Sequence, residues 1–189
     1  DELVEKYGCD SLRMYELFVG PPEVDSEWDD SGIDGVYRYL NKTWKFVDEY
    51  KDKLIESTKE LEQLRNKMIY EISNRLEALT LNTVVSGFME YTNKIVAKAK
   101  ELGGVDKETI ETIITLLAPF TPHIAEEMWE LTGHSESVYR QGWPEYDESK
   151  MKEDSIEIAV QINGKVKDNI KIAVDKWHRE QYIKNRNYS

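Results

Sequence analysis

The chain has 189 residues, a formal net charge of −12, a pI near 4.8 and 40% hydrophobic residues. This length allows one sizeable domain, or one domain and a smaller piece, and the acidic balance weighs against a general nucleic-acid binder, which carries excess Lys and Arg. No run approaches the about 18 apolar residues of a membrane helix, the start DELVEKYG does not read as a signal peptide, and a single cysteine, Cys9, excludes an internal disulfide and suits the cytoplasm.

In chain order, residues 2–19 predict two short helices broken at Gly8, with Leu12, Tyr15, Phe18 and Val19 as an apolar stripe. Gly20-Pro21-Pro22 ends that run, and an acidic loop follows in which Asp30 or Ser31 is placed to cap the next helix. A helix is expected over 32–54, burying Ile33, Val36, Tyr37, Leu40, Trp44, Val47 and Leu54 at helical spacing. The next spans about 58–79, with Leu61, Leu64, Met68, Ile72, Leu76 and Leu79 inward. After a break at Thr80 or Asn82, a third runs through Phe88, Ile95 and Leu102 to a stop at Gly103-Gly104. Asp106 caps a fourth, and a fifth starts at Thr121-Pro122. Long helices with short connections favour an antiparallel bundle, with Trp28, Trp44, Trp129 and Trp143 as packing anchors. From residue 155 to 174 the period changes to alternation around Asn163-Gly164, a hairpin signal. A three-residue loop pairing Ile162 with Val166, Ile158 with Ile170 and Ile156 with Ile172 keeps the apolar rows together, whereas a two-residue turn pairing Ile162 with Lys165 would oppose them.

Several chemistries can be tested on these residues. His123, Glu126 and Glu127 come close to H-x-x-E-H, with Glu in place of the last ligand. The same residues are accounted for by a helix start, with Thr121 as N-cap, Pro122 first in the helix and two glutamates near the positive end of its dipole. We therefore assign no metal ligands. Cys9 has no histidine near it in sequence and reads as a small buried apolar side chain. No Gly-rich phosphate loop of the P-loop or dinucleotide type is present. A binding surface fits better. Residues 1–30 hold 10 acidic and 2 basic side chains, whereas residues 31–100 hold 12 basic and 10 acidic. Within that basic stretch Arg38, Lys42 and Lys45 repeat at i, i+4 and i+7, a row suited to phosphate. Arg65, Lys67, Arg75, Lys94, Lys98 and Lys100 add charge on the following helices, although Asp48, Glu49, Glu71 and Glu90 are interspersed as on an ordinary solvated face.

Several stretches together resemble one family. DELVEKYGCDSLRMYELFVGP is similar to the segment following the K-M-S-K-S loop of bacterial leucyl-tRNA synthetases, and SEWDDSGIDGVYRYLNKTW to the first helix of their anticodon-binding bundle. LNTVVSGFMEYTNKI, LLAPFTPHIAEEMWE and QGWPEYDES resemble later parts of that bundle, and IEIAVQINGKVKDNIKI the opening hairpin of the small C-terminal domain. The resemblance implies a mainly α fold, an antiparallel bundle of the class I synthetase type with a C-terminal β-hairpin. It implies a joint between catalytic and anticodon-binding domains at 1–30, the bundle at 31–150, and a partial C-terminal domain at 151–189 whose tail from residue 174 stops matching. A shortened gene end and a cut chain are both compatible with that tail. The catalytic and editing domains precede this stretch in the family, so the piece is expected to be inactive alone, without a cofactor of its own; ATP and magnesium belong to the parent. Its implied partners are leucine tRNA and the remainder of the synthetase, not a membrane or DNA. The implied tRNA contacts are Arg38, Lys42 and Lys45, then Arg75, with Lys165 and Lys167 on the hairpin; Asp10 and Arg13 are implied as a structural pair at the joint. The alternative is a helical protein-interaction module without RNA binding.

Overall fold

The computed structural model describes residues 2–20, 29 and 32–152, and the backbone of 155–162 and 165–173. The chain divides into two units, Asp1–Met151 and Lys152–Ser189. Among the described residues the first unit is helical: α1 (Glu2–Tyr7), α2 (Cys9–Phe18), α3 (Ile33–Tyr50), α4 (Lys59–Glu77), α5 (Leu81–Leu102), α6 (Lys107–Leu117) and α7 (Pro122–Leu131). None of these helices is long and apolar enough to cross a membrane.

The helix ends follow from local chemistry. Gly8 separates α1 from α2 with φ at 81°, a conformation that costs a Cβ-bearing residue more than glycine. Thr58 caps α4 by accepting from the Leu61 N–H at 3.3 Å, and Asp106 caps α6 by accepting from the Thr109 N–H at 2.9 Å, as its position predicted. Gly103 closes α5 in the left-handed region, at φ 72°. Met14, Val36, Met68, Phe88, Ile113 and Met128 come from α2 to α7 in turn and are all 0% exposed, so six helices share one core. Each such side chain contributes about 1.5–3 kcal/mol over an exposed one.

Residues 78–80 return the chain between α4 and α5. The Arg75 guanidinium near the end of α4 donates to the Thr83 carbonyl near the start of α5, at 2.8 Å. Gly87 lets the helices approach closely there, since a Cβ would lie 2.7 Å from Arg75 Nη1 and 3.1 Å from Ile72 Cδ1. α5 therefore runs back along α4. Leu79, expected inside, takes a positive φ of 55° in this turn and is 64% exposed.

Helix α3 departs from its expected pattern twice. It ends at Tyr50, and Lys53–Ile55 instead exchange backbone hydrogen bonds with Val105 (Ile55 N–H to Val105 O, 3.1 Å; Val105 N–H to Lys53 O, 3.3 Å). Leu54, expected on the buried stripe, is thereby 49% exposed in a parallel bridge with Val105. The buried arc is also rotated: Tyr39, Thr43, Phe46 and Tyr50 join Ile33, Val36, Leu40 and Val47 inside, while Trp44 is half-buried and Tyr37, expected inside, is exposed. The cause is tertiary, because α3 packs on α5, where the Tyr39 hydroxyl meets Thr92 Oγ1 at 3.1 Å, as well as on α2 and α7.

In the second unit β1 (Ser155–Ile162) and β2 (Lys165–Ala173) pair antiparallel. At the tip Ile162 pairs with Lys165 and Gln161 with Val166, not Ile162 with Val166 as expected. An irregularity between Val160 and Gln161 skips Lys167, after which Val160 pairs with Asp168, Ile158 with Ile170 and Ile156 with Ile172. A bulge thus supplies the extra residue assigned above to the loop. The expected turn residues Asn163 and Gly164, the anchor Trp28, the caps Asp30 and Ser31, and the tail from 174 lie outside the described residues.

Candidate nucleic-acid interface

The outer side of α3 carries the basic row. Arg38, Lys42 and Lys45 are all exposed and, at spacings of four and three, lie on one helical face. Arg38 Nε donates to the Asp34 carbonyl at 3.1 Å, within the helix, and Lys42 Nζ donates to Asn93 Oδ1 on α5 at 2.6 Å. Neither bond neutralises charge, because a carbonyl and an amide oxygen are the acceptors. Both bonds hold the cation in place, which lowers the entropy lost when it meets a phosphate. With Tyr37 and Asn41, these three residues line a surface depression of about 440 Å³.

The other basic residues are engaged differently. Arg65, counted above with the basic helix surface, is only 3% exposed and bridges Asp106 Oδ1 at 2.8 Å, Thr109 Oγ1 at 3.1 Å and Glu108 Oε2 at 2.9 Å. It fastens α4 to the start of α6. Arg75 pairs with Glu71 at 3.1 Å besides its bond to Thr83, so it stitches α4 to α5. Lys94 holds Glu90 and Lys98 holds Glu101, each at 2.7 Å, and the Lys94 hydrogen bond keeps the Glu90 carboxyl below its usual range. Lys165 and Lys167 both belong to β2, Lys167 at its bulge, and their side chains lie outside the described residues.

The start of α7 resolves what His123 and its neighbours do. Thr121 is not the capping side chain expected: its hydroxyl donates back to the Leu117 carbonyl at 3.2 Å. The cap comes from Asp10 on α2, whose Oδ2 accepts from the Ile124 N–H at 2.7 Å while Oδ1 meets His123 Nδ1 at 2.9 Å. A buried carboxylate at the positive end of a helix is well placed electrostatically. Asp10 thus uses both oxygens at the start of α7, and Arg13 is exposed. Glu126 faces the other way and accepts from Ser137 Oγ and the Val138 N–H, both at 3.1 Å, tying down the single turn Val138–Arg140. Among the described residues no three His, Cys, Asp or Glu side chains are grouped to hold an ion.

Two placements had no signal in the sequence pattern. Cys9, expected buried, is exposed at the first position of α2. It lines an open groove of about 560 Å³ with Tyr7, Tyr37, Leu40, Trp44 and Ile124, among others. Periodicity placed Tyr37 and Trp44 in the core; only the competition of α5 for the other side of α3 brings them to this groove. Trp143, expected as an anchor, is 38% exposed but held by a hydrogen bond from Nε1 to Ser73 Oγ at 2.8 Å.

Residues 58–182 match the family described as the anticodon-binding domain of tRNA ligase. A leucine–tRNA ligase of Pseudothermotoga lettingae is 38% identical over 93% of this chain and 23% of its own length. In structure, the chain is similar to the LeuRS (agnB2) of Agrobacterium radiobacter K84, in a crystal structure of its ternary complex with tRNA and LeuAMS: the TM-score is 0.75 and the identity 26%, over 96% of this chain and 25% of that one. The chain thus spans about a quarter of the length of each of these relatives.

Proposed function

This chain belongs to the anticodon-binding domain family of tRNA ligases, and from that premise we propose that it is the tRNA-docking, non-catalytic part of a leucyl-tRNA synthetase. The observation that carries the reading is the row Arg38, Lys42 and Lys45, presented on one exposed face of a domain whose relative of known structure is in complex with tRNA. Cations at that spacing contact phosphate and sugar, which fixes register and orientation without reading bases. The function is positional: holding the body of the tRNA delivers its acceptor end to a catalytic site elsewhere in the parent, which joins leucine to tRNA using ATP. In this reading residues 1–30 are the joint to the catalytic domain, 31–150 the bundle, and 151–189 part of the small C-terminal domain, opening with the hairpin of β1 and β2. The chain needs no cofactor of its own; ATP and magnesium serve the catalytic part, and the whole works in the cytoplasm. Lys165 and Lys167 would add a weaker second contact from that hairpin.

The test is binding of labelled leucine tRNA by the 189-residue chain, against a non-cognate tRNA, at low and near-physiological salt. We expect salt-sensitive binding of tRNA, with preference for the leucine tRNA where shape is read. Absence of binding even at low salt sinks the reading for this chain and favours a protein-interaction module.

A further inference from the structure

We infer that the groove beside the basic row takes an unpaired purine of the docked tRNA, its flanking phosphates lying on Arg38, Lys42 and Lys45. The inference deepens the tRNA-docking reading and rests on it. Its starting point is continuity: Tyr37 and Asn41 line both the basic depression and the larger, mostly apolar groove, so the two are one surface of α3. A nucleotide has the same two parts, an anionic backbone and an apolar ring a few ångströms away. The groove supplies the complement of the ring. Tyr37 is 39% exposed there and set edge-on to Tyr7, ring centroids 5.6 Å apart, while Trp44 is half-buried beside Leu40. Aromatic side chains of this kind stack nucleobases with little regard to sequence.

The polar groups of the groove can meet the edge of a base. Asn41 donates one of its two Nδ2 N–H groups to the Tyr37 carbonyl at 2.8 Å, and its side-chain oxygen is an acceptor. Glu127 adds an exposed carboxylate, whereas Asp10 is committed to α7. Ser11 and His123 line the groove as well, so donors and acceptors are both present and the preference comes from stacking area, which favours a purine. One further cation stands at the aromatic end, where Lys6 Nζ lies 4.6 Å from the centre of the Tyr7 ring. In a chain of net charge −12 this concentration of cations gives the groove a polyanion for its neighbour, and the aromatic lining suits one that carries bases.

Stacking and phosphate contact leave different traces. Removing a phosphate contact lowers the slope of log affinity against log salt by about one, whereas removing a stacked base lowers affinity at every salt concentration and leaves the slope alone. The experiment measures leucine tRNA binding across a salt series for the wild-type chain, Tyr37→Ala and Tyr37→Phe, with circular dichroism to confirm folding. Base-specific chemical probing of the tRNA, free and bound to the wild-type chain, runs alongside and needs no variant. The expected result is a loss of about tenfold for Tyr37→Ala at unchanged slope, recovery in Tyr37→Phe, and one unpaired purine protected on binding. Salt-sensitive binding with no protected base, or a Tyr37→Ala effect carried in the slope, overturns the inference, leaves the docking reading standing, and makes the groove a face for protein. No binding at low salt overturns both.

Discussion

Tyr39 shows how a single buried hydroxyl sets a limit on stability. Its phenol lies in the core between α3 and α5 and exchanges a hydrogen bond with Thr92, the oxygens 3.1 Å apart. Burial raises its pKa from 10.0 to about 12, with the hydrogen bonds to Thr92 and Thr43 acting the other way. The folded state therefore keeps its proton where the unfolded chain has released it. The stability tied to that proton is fully present below pH 10.0 and is lost as pH rises through about 12. The loss amounts to about 2–3 kcal/mol at the upper end. Tyr39→Phe should cost about 1 kcal/mol at neutral pH through the missing hydrogen bond. It should also flatten the decline at alkaline pH; urea unfolding at neutral pH and near pH 11 measures both, and an equally steep decline in the variant would assign it to other groups. Asp10 makes the complementary point. One carboxylate caps a helix that begins more than a hundred residues later, a contribution of about 1 kcal/mol that no local pattern predicts.

At the scale of elements, α6 is held by a charge cluster as much as by its apolar face. Arg65 and Asp106 are both buried, and Asp106 spends its oxygens on Arg65, on the Thr109 N–H and on the Thr109 hydroxyl. Truncating the cation leaves a buried carboxylate without its partner, so Arg65→Ala should destabilise the chain by about 3–5 kcal/mol. Urea denaturation reads this directly, and a loss below about 1 kcal/mol would mean that the cap of α6 alone satisfies Asp106. The cluster also marks where sequence reading works and fails. Asp106 was legible as a cap and Gly103 as a stop, because both signals are local. Arg65 was not legible as a core residue, because a charge inside is decided by a partner 41 residues away. The same holds for α3. Its helical period was plain, but which arc of it is buried depended on α5 meeting Tyr39, and its end depended on Val105 competing for Lys53–Ile55. Periodicity fixes that a helix is amphipathic; the neighbours fix the edges of its buried face.

Across the whole molecule, charge decides what the surface can hold. The chain is acidic overall, yet Arg38, Lys42 and Lys45 stand together without a carboxylate ion pair among the described contacts, whereas Lys94 and Lys98 are each matched by a glutamate. The row was legible from spacing alone, since three cations at i, i+4 and i+7 share a face in any helix. Its difference from the other basic residues was not, because matching by Glu90 and Glu101 and the burial of Arg65 are set by packing and rotamer. A prediction separates the two kinds of cation. Arg38→Ala with Lys42→Ala should weaken tRNA binding and lower the salt slope by about two, one for each phosphate contact removed. Lys94→Ala with Lys98→Ala removes the same formal charge from positions already neutralised, and should leave the slope almost unchanged. Helicity should be the same in all three proteins, since none of the four side chains is buried. If both pairs lower the slope equally, net charge governs binding and the α3 row has no special place in it. If only the Arg38 and Lys42 pair does so, the docking face lies on α3 and the acidic remainder serves to keep other polyanions from binding elsewhere.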